Sequence, residues 1–192
     1  METERDKDLQ KWLDRRRIVK QCGLILLEDK ESDLSKSCCE YSCSLKEQKY
    51  CKNILLPIPL KVIYVKSSLP GSASNIHKDI LNALKRPSNT SNLRNLRERV
   101  FNMFKLHKVE LLIVDCAHLL KREAMVELIK IYDDLNIAVV ISGNYDLDKK
   151  LSRYKGYRHI HNAFLRVHKY GSLTIDKDRQ STPNRLPPDP IP

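Results

Sequence analysis

The stretch 110-ELLIVDCAHLL-120 places four aliphatic residues, Leu111 to Val114, directly before Asp115. An uninterrupted apolar run of this length reads as a strand buried on both faces. A second such run opens 138-AVVISGNYDLDKKL-151 and stops at Ser142, before Gly143 and Asn144. Between the two, Lys121 to Leu135 repeats apolar residues at helical spacing. Buried strand, amphipathic helix, buried strand is the pattern of a parallel sheet covered by helices.

Working outward, Cys22 to Leu27 reads as a buried strand and Lys61 to Val65 as another, rich in β-branched residues. Leu165 to Tyr170 is the expected fifth. Helices are expected over residues 5–20, Asp33 to Gln48, Asn75 to Leu84, Leu93 to Phe104 and Asp146 to Leu151, with a loop over 49–59. The polar SNTSN segment caps the helix from Leu93, whose apolar stripe is Leu93, Leu96, Val100, Met103 and Phe104. The expected fold class is α/β, three-layered, with a mainly parallel five-stranded sheet. Residues 1–21 form an amphipathic basic helix, 22–173 the core, and 174–192 a proline-rich tail expected to be disordered. In the first helix Leu9, Trp12, Leu13, Ile18 and Val19 are set against Lys11, Arg15, Arg16, Arg17 and Lys20.

With 192 residues, 41% hydrophobic and 31% charged, the chain has enough apolar material for one domain. No apolar run reaches the roughly 18 residues of a membrane span, and the charged N-terminus lacks a signal-peptide apolar region. The expected location is the cytoplasm, with no membrane partner. A net charge of +11 favours a polyanion, nucleic acid first. The candidate contacts with a DNA backbone are Lys11, Arg15, Arg16, Arg17, Arg94, Arg97, Lys149, Lys150 and Arg153. Tyr154 and Tyr157 interleave with Arg153, Lys155 and Arg158, a mixture suited to nucleic acid and also to a half-buried loop. Four of the six cysteines fall between Cys38 and Cys51 without C-x2-C pairs, which favours reduced thiols over zinc. The histidines show no ligand spacing.

Parallel α/β sheets place ligands at the carboxyl ends of their strands. That rule gathers Glu28, Asp115 and Asn144. An aliphatic strand ending in Asp115 has the form of a Walker B element, whose carboxylate holds Mg²⁺; Asp115 is the candidate metal ligand. Asn144 is delivered to the same edge as a sensor-1 residue would be.

From Trp12 to Leu173 the order of these motifs resembles the AAA+ ATPase regulators of transposition, the TnsC/TniB family, and most closely the branch linked to CRISPR-associated transposons. The segments carrying the resemblance are WLDRRRIVKQC, VIYVKSSLPGSASNIHKDILNALK, VELLIVDCAHLLKREAMVELIKIYDDLNIAVVISGNYDLDKKL and NAFLRVHKYGSL. It implies a P-loop NTPase-like AAA+ core with transposition proteins as partners, and it is compatible with a homo-oligomer.

The chain departs from that pattern where the chemistry lies. The phosphate loop falls at Leu27, Glu28, Asp29, Lys30, Glu31, Ser32 and Asp33, near Leu34, with no glycine between Gly23 and Gly71. Such a loop wraps backbone amides around phosphates and supplies a lysine, whereas clustered carboxylates repel a triphosphate by about 4 kcal/mol per close contact. Cys116 stands where the family has the water-orienting glutamate. Ala163 stands where it has the arginine finger, with Arg158 and Arg166 nearby. A helical lid is not matched. Asp115, Cys116 and Asn144 therefore read as vestigial catalytic positions, and no cofactor is expected. Two alternatives stay open: an ATP- and Mg²⁺-using AAA+ transposition protein with an atypical site, and an unrelated basic nucleic-acid-binding α/β protein.

Overall fold

Alternation along the apolar strands decides where the helices pack. In the computed structural model, which describes residues 3–28, 34–45 and 60–171, five strands form one sheet. They are β1 (Gly23–Leu27), β2 (Val62–Lys66), β3 (Leu111–Asp115), β4 (Ala138–Asn144) and β5 (Val167–Tyr170), in the order β2-β3-β4-β1-β5. Every adjacent pair is parallel. Leu24, Leu26, Ile63, Val65, Leu112, Val114, Val139 and Ile141 belong to one face and its core. Ile25, Val62, Leu111, Ile113, Ala138 and Val140 belong to the other. Both sides of a residue-by-residue alternation are apolar, so both faces need cover.

The first face is covered by α3 (Ala73–Ala83), α4 (Leu93–Leu106), α5 (Arg122–Leu135), α6 (Tyr145–Arg153) and α7 (Arg158–Ala163). The second is covered by α1 (Glu4–Val19) and α2 (Leu34–Ser44). Three layers result, as the apolar runs predict. Leu9 and Leu13 of α1 are fully buried against the sheet, worth about 3–6 kcal/mol together. Thr3 caps α1 through a capping box with Asp6. Asp6 also accepts from Ser37 and Tyr170 at 2.7 Å each, joining α1 to α2 and β5. Asn92 caps α4, accepting from the Arg94 amide at 2.9 Å.

Several boundaries differ from the sequence reading. In α1, Ile18 and Val19 are 71% and 51% exposed, while Arg16 is buried beside Trp12 and donates to Gln21 at 2.9 Å. The helix therefore turns one cation inward and two aliphatics outward. β4 runs on to Asn144 because β1 offers it a partner as far as Leu27. The basic segment after α6 contains a 3-10 turn over 155–157 and then α7. The segment after β2 is a tight turn: Gly71 has φ +38°, and a Cβ there would run into the Leu119 carbonyl oxygen. The expected 49–59 loop and the 174–192 tail lie outside the described residues. No helix among the described residues is long and apolar enough to cross a membrane.

Candidate functional site

The strand register sets the carboxyl edge of the sheet. Val114 pairs with Ile141, which puts Asp115 beside Ser142; Leu27 pairs with Asn144, which puts Glu28 just beyond. Asp115, Asn144 and Glu28 thus share the edge that the chain order implied.

Asp115 is 3% exposed. Its Oδ1 accepts from the Ser142 hydroxyl at 2.6 Å and the Cys116 amide at 2.7 Å. Its Oδ2 accepts from the hydroxyls of Ser35 and Tyr64, each at 2.8 Å. An ionised carboxylate has about four acceptor sites, so these donors occupy all of them. Burial pushes the Asp115 carboxyl up, but the Ser142, Ser35 and Tyr64 hydroxyls and the Cys116 amide outweigh it and hold it below the usual carboxylate range. The charge is thereby satisfied by neutral donors. A Mg²⁺ ion, which demands near-octahedral oxygen ligation, would have to displace at least one of them.

The Ser35 contact fixes a register. In a P-loop, the hydroxyl that shares the metal with the Walker B carboxylate closes the sequence G-x-x-x-x-G-K-[ST]. Ser35 at that place puts Leu34 at the lysine, Asp33 at the second glycine and Glu28 at the first. This register sits one residue beyond the Leu27-to-Leu34 match expected from sequence. Leu34 is 2% exposed and packs in the second core, so its side chain gives a phosphate nothing. Leu27 is half-buried and Glu28 exposed, with the Glu28 amide donating to the Tyr170 carbonyl at 3.2 Å. Asp29, Lys30, Glu31, Ser32 and Asp33 lie outside the described residues.

The remaining edge positions offer little to a reacting water. Cys116 takes a left-handed backbone, φ +57°. Its thiol is pushed up by burial and by neighbouring Asp115, so it stays protonated near neutral pH. Asn144 donates weakly to Asp146 at 3.4 Å, while its Oδ1 and the Nδ1 of His118 are buried without a hydrogen-bond partner among the described residues. Ala163 closes α7, with Arg158 and Arg166 exposed nearby in sequence. Among the described residues no group of three or more His, Cys, Asp and Glu side chains could hold a metal. At the described edge, then, four donors surround the Asp115 carboxylate and Leu34 is turned into the second core.

The basic candidates divide in two. Lys11, Arg15, Arg94 and Arg153 are exposed, and Lys149 is partly so. The others are committed inside the chain. Arg16 is buried. Arg17 is ion-paired with Asp14 at 2.9 Å and with Glu110. Arg97 grips Glu127 with two 2.9 Å bonds, and Lys150 donates to the Leu120 carbonyl at 2.7 Å and to His118 at 3.3 Å. Glu127 is also met by His77 and Lys130, each at 3.1 Å. Burial pushes the Glu127 carboxyl up, yet these three cationic or polar partners bring it down to about 2. Ser35, Tyr64, Ser142 and Glu127 were not found from sequence. The signal for Ser35 was its place seven residues after Glu28, the spacing of the first glycine and the closing hydroxyl in a phosphate loop; for Tyr64 and Ser142 it was their place on strands that flank β3.

A sheet ordered β2-β3-β4-β1-β5, with this carboxylate at the end of β3, coincides with a family match. The family model described as AAA domain covers residues 8–151. The chain belongs to the AAA domain family. Among solved structures, the Aeropyrum pernix ORC2 protein in its ADPNP–ADP complexes resembles this AAA domain with TM-score 0.61 and 10% identity, over 87% of this chain and 47% of that one. Drosophila ORC bound to DNA gives TM-score 0.53 and 15% identity, over 88% and 90%. Drosophila ORC bound to GC-rich DNA and Cdc6 gives 0.50 and 14%, over 87% and 55%. These likenesses establish the AAA+ P-loop NTPase-like fold, and the chain spans about half the length of the archaeal ORC2 chain. A comparison with curated protein sequences finds no match.

Proposed function

We propose that this AAA domain is a non-hydrolysing module that works by binding, to the phosphate backbone of DNA and to protein partners, in an assembly of the kind that transposition regulators form. The observation that carries the first part is the saturated Asp115 carboxylate. Where the family fold uses a carboxylate and a hydroxyl to share a metal ion, Ser35 and Asp115 bond to each other, with Tyr64 and Ser142 completing the shell. Leu34 in the phosphate cradle and a protonated thiol at Cys116 act in the same direction. Loss of a general base alone typically costs about 10²- to 10⁴-fold in rate.

The binding part rests on charge. The net +11 is carried at Lys11, Arg15, Arg94, Lys149 and Arg153, among other exposed cations. Two structural neighbours are ORC assemblies bound to DNA, and the sequence motifs resemble the TnsC/TniB regulators. Contacts of this type read no bases, so affinity is sequence-independent, about 10⁻⁴ to 10⁻⁶ M at physiological salt. The deciding experiment titrates a fluorescent ATP analogue with Mg²⁺ alongside random duplex DNA. No saturable micromolar nucleotide binding, together with salt-sensitive DNA binding, is expected. Micromolar ATP affinity would overturn the non-hydrolysing reading, and absence of DNA binding at low salt would leave only protein partners.

A further inference from the structure

Helix α6 places Asp146, Lys149, Lys150 and Arg153 on one face, and the turn that follows raises Tyr154 and Tyr157 beside them. Together they line an open cleft of about 560 Å³, within the roughly 300–1,000 Å³ of small-ligand sites. The turn is braced from outside: the Arg122 guanidinium donates to the Gly156 carbonyl at 2.7 Å. Lys150 forms the floor, held by the carbonyls of Leu120 and His118 and lying 5.7 Å from the centre of the Tyr157 ring. Tyr157 is half-buried against the core, whereas Tyr154 is 64% exposed. Their ring centres are 6.3 Å apart and inclined by 55°, which leaves no parallel slot between them but keeps a face of Tyr154 open.

The cations are not used up. Lys149 makes a long, exposed pair with Asp146 at 3.9 Å, of a kind that contributes little. Arg153 has no hydrogen bond or ion pair among the described residues. A second exposed ring, Tyr145, lies 4.8 Å from the Lys149 ammonium and is 62% exposed.

We propose that this cleft binds an unpaired nucleotide of single-stranded nucleic acid, its base stacked on Tyr154 and its phosphates held by Lys149 and Arg153. This rests on the nucleic-acid part of the function proposed above and adds strand selectivity to it. Alternating cations and open aromatic faces match a polymer that alternates phosphates with bases. In a duplex the bases already stack on one another, so Tyr154 has nothing to receive. An acidic peptide would satisfy the lysine and arginine but leave the tyrosine face unused.

The test compares fluorescence anisotropy of a short oligothymidylate with that of a hairpin duplex at matched salt. The expected result is tighter binding of the single strand. Tyr154→Ala should weaken single-strand binding about tenfold, the low end of one base–aromatic stack, and leave duplex binding unchanged. Tyr154→Trp should restore the preference. Lys149→Ala with Arg153→Ala should weaken both. Duplex binding with no single-strand preference, or a Tyr154→Ala variant that binds the oligothymidylate normally, overturns the cleft proposal alone. Displacement by poly-glutamate as readily as by oligothymidylate also overturns it, in favour of an acidic protein segment. Absence of binding to either nucleic acid at low salt removes the broader DNA reading with it.

Discussion

The Ser35 hydroxyl and the Asp115 carboxylate, eighty residues apart in sequence, lie 2.8 Å from each other across the carboxyl edge of the sheet. The bond ties α2 to β3 at the place where an AAA fold holds its metal ion. Removing any one of the donors around Asp115 leaves its buried charge short of a partner. Ser142→Ala, Tyr64→Phe and Ser35→Ala should each destabilise the fold by about 1–3 kcal/mol, measured by urea denaturation. Three variants all within about 0.5 kcal/mol of the parent would show that the hydroxyls do not hold Asp115.

Restoring one catalytic group should restore nothing. Cys116→Glu supplies a carboxylate at the water-orienting position, but Leu34 still faces the second core rather than a phosphate. ATP turnover of that variant should stay at background in a coupled phosphate-release assay. Turnover clearly above background would mean that the phosphate cradle is intact.

Arg97 and Arg94 sit one turn apart on α4 and should behave differently. Arg97 makes two charge-assisted bonds to Glu127, whose side chain is 5% exposed. Arg97→Ala should cost about 2 kcal/mol of stability and leave the salt slope of DNA binding unchanged. Arg94 pairs only loosely with Glu98 at 3.2 Å on an open surface. Arg94→Ala should be thermally neutral and lower the slope by about 0.9 if it meets one phosphate. Salt titrations of both variants give the answer; equal slope changes would refute the distinction.

Stability should fall with acid in two stages. Burial holds the imidazoles of His77 and His168 below their ordinary value of 6.5. His77 faces Glu127, with Arg97 and Lys130 close by. The unfolded chain therefore takes up protons that the folded chain refuses once pH drops below about 6.5. The second stage belongs to the carboxylates. Glu127, at about 2 when folded against an ordinary 4.5, and Asp115, also depressed, stabilise the fold above pH 4.5 and lose that effect as pH falls through the range below it. Melting temperatures from pH 8 to pH 3 should decline in both windows, and His77→Gln should flatten the first. An unchanged first window in that variant would assign the slope to other groups.

The strands were legible because four-residue aliphatic runs bounded by polar residues have few other uses, and 111–114 and 138–141 stop within three residues of their structural ends. Asp115 and Asn144 could be placed on one edge from chain order alone, since parallel strands all point the same way. The shell around Asp115 was not legible. Tyr64 reads as an ordinary strand aromatic and Ser35 as an ordinary helix residue; only the pairing of β2 with β3 and the seating of α2 bring their hydroxyls to one carboxylate. Arg97 is a different case. It lies one helical turn after Leu93 and three residues before Val100, on the flank of the buried stripe, so its inward position was readable and was outweighed by the chain's overall positive charge.

The sheet order has a consequence for how the chain reaches its native state. The strand Gly23–Leu27 has no neighbour until Ala138–Asn144 exists, because its pairs run Gly23 with Val140 through Leu27 with Asn144, and its other neighbour is later still. On the ribosome, GLILL must therefore wait, apolar and unpaired, while most of the core is synthesised. Contacts of such sequence separation make folding slow and leave the waiting segment prone to aggregation. A truncation ending before Ala138 should consequently emerge insoluble or chaperone-bound, while one ending after Tyr170 should not.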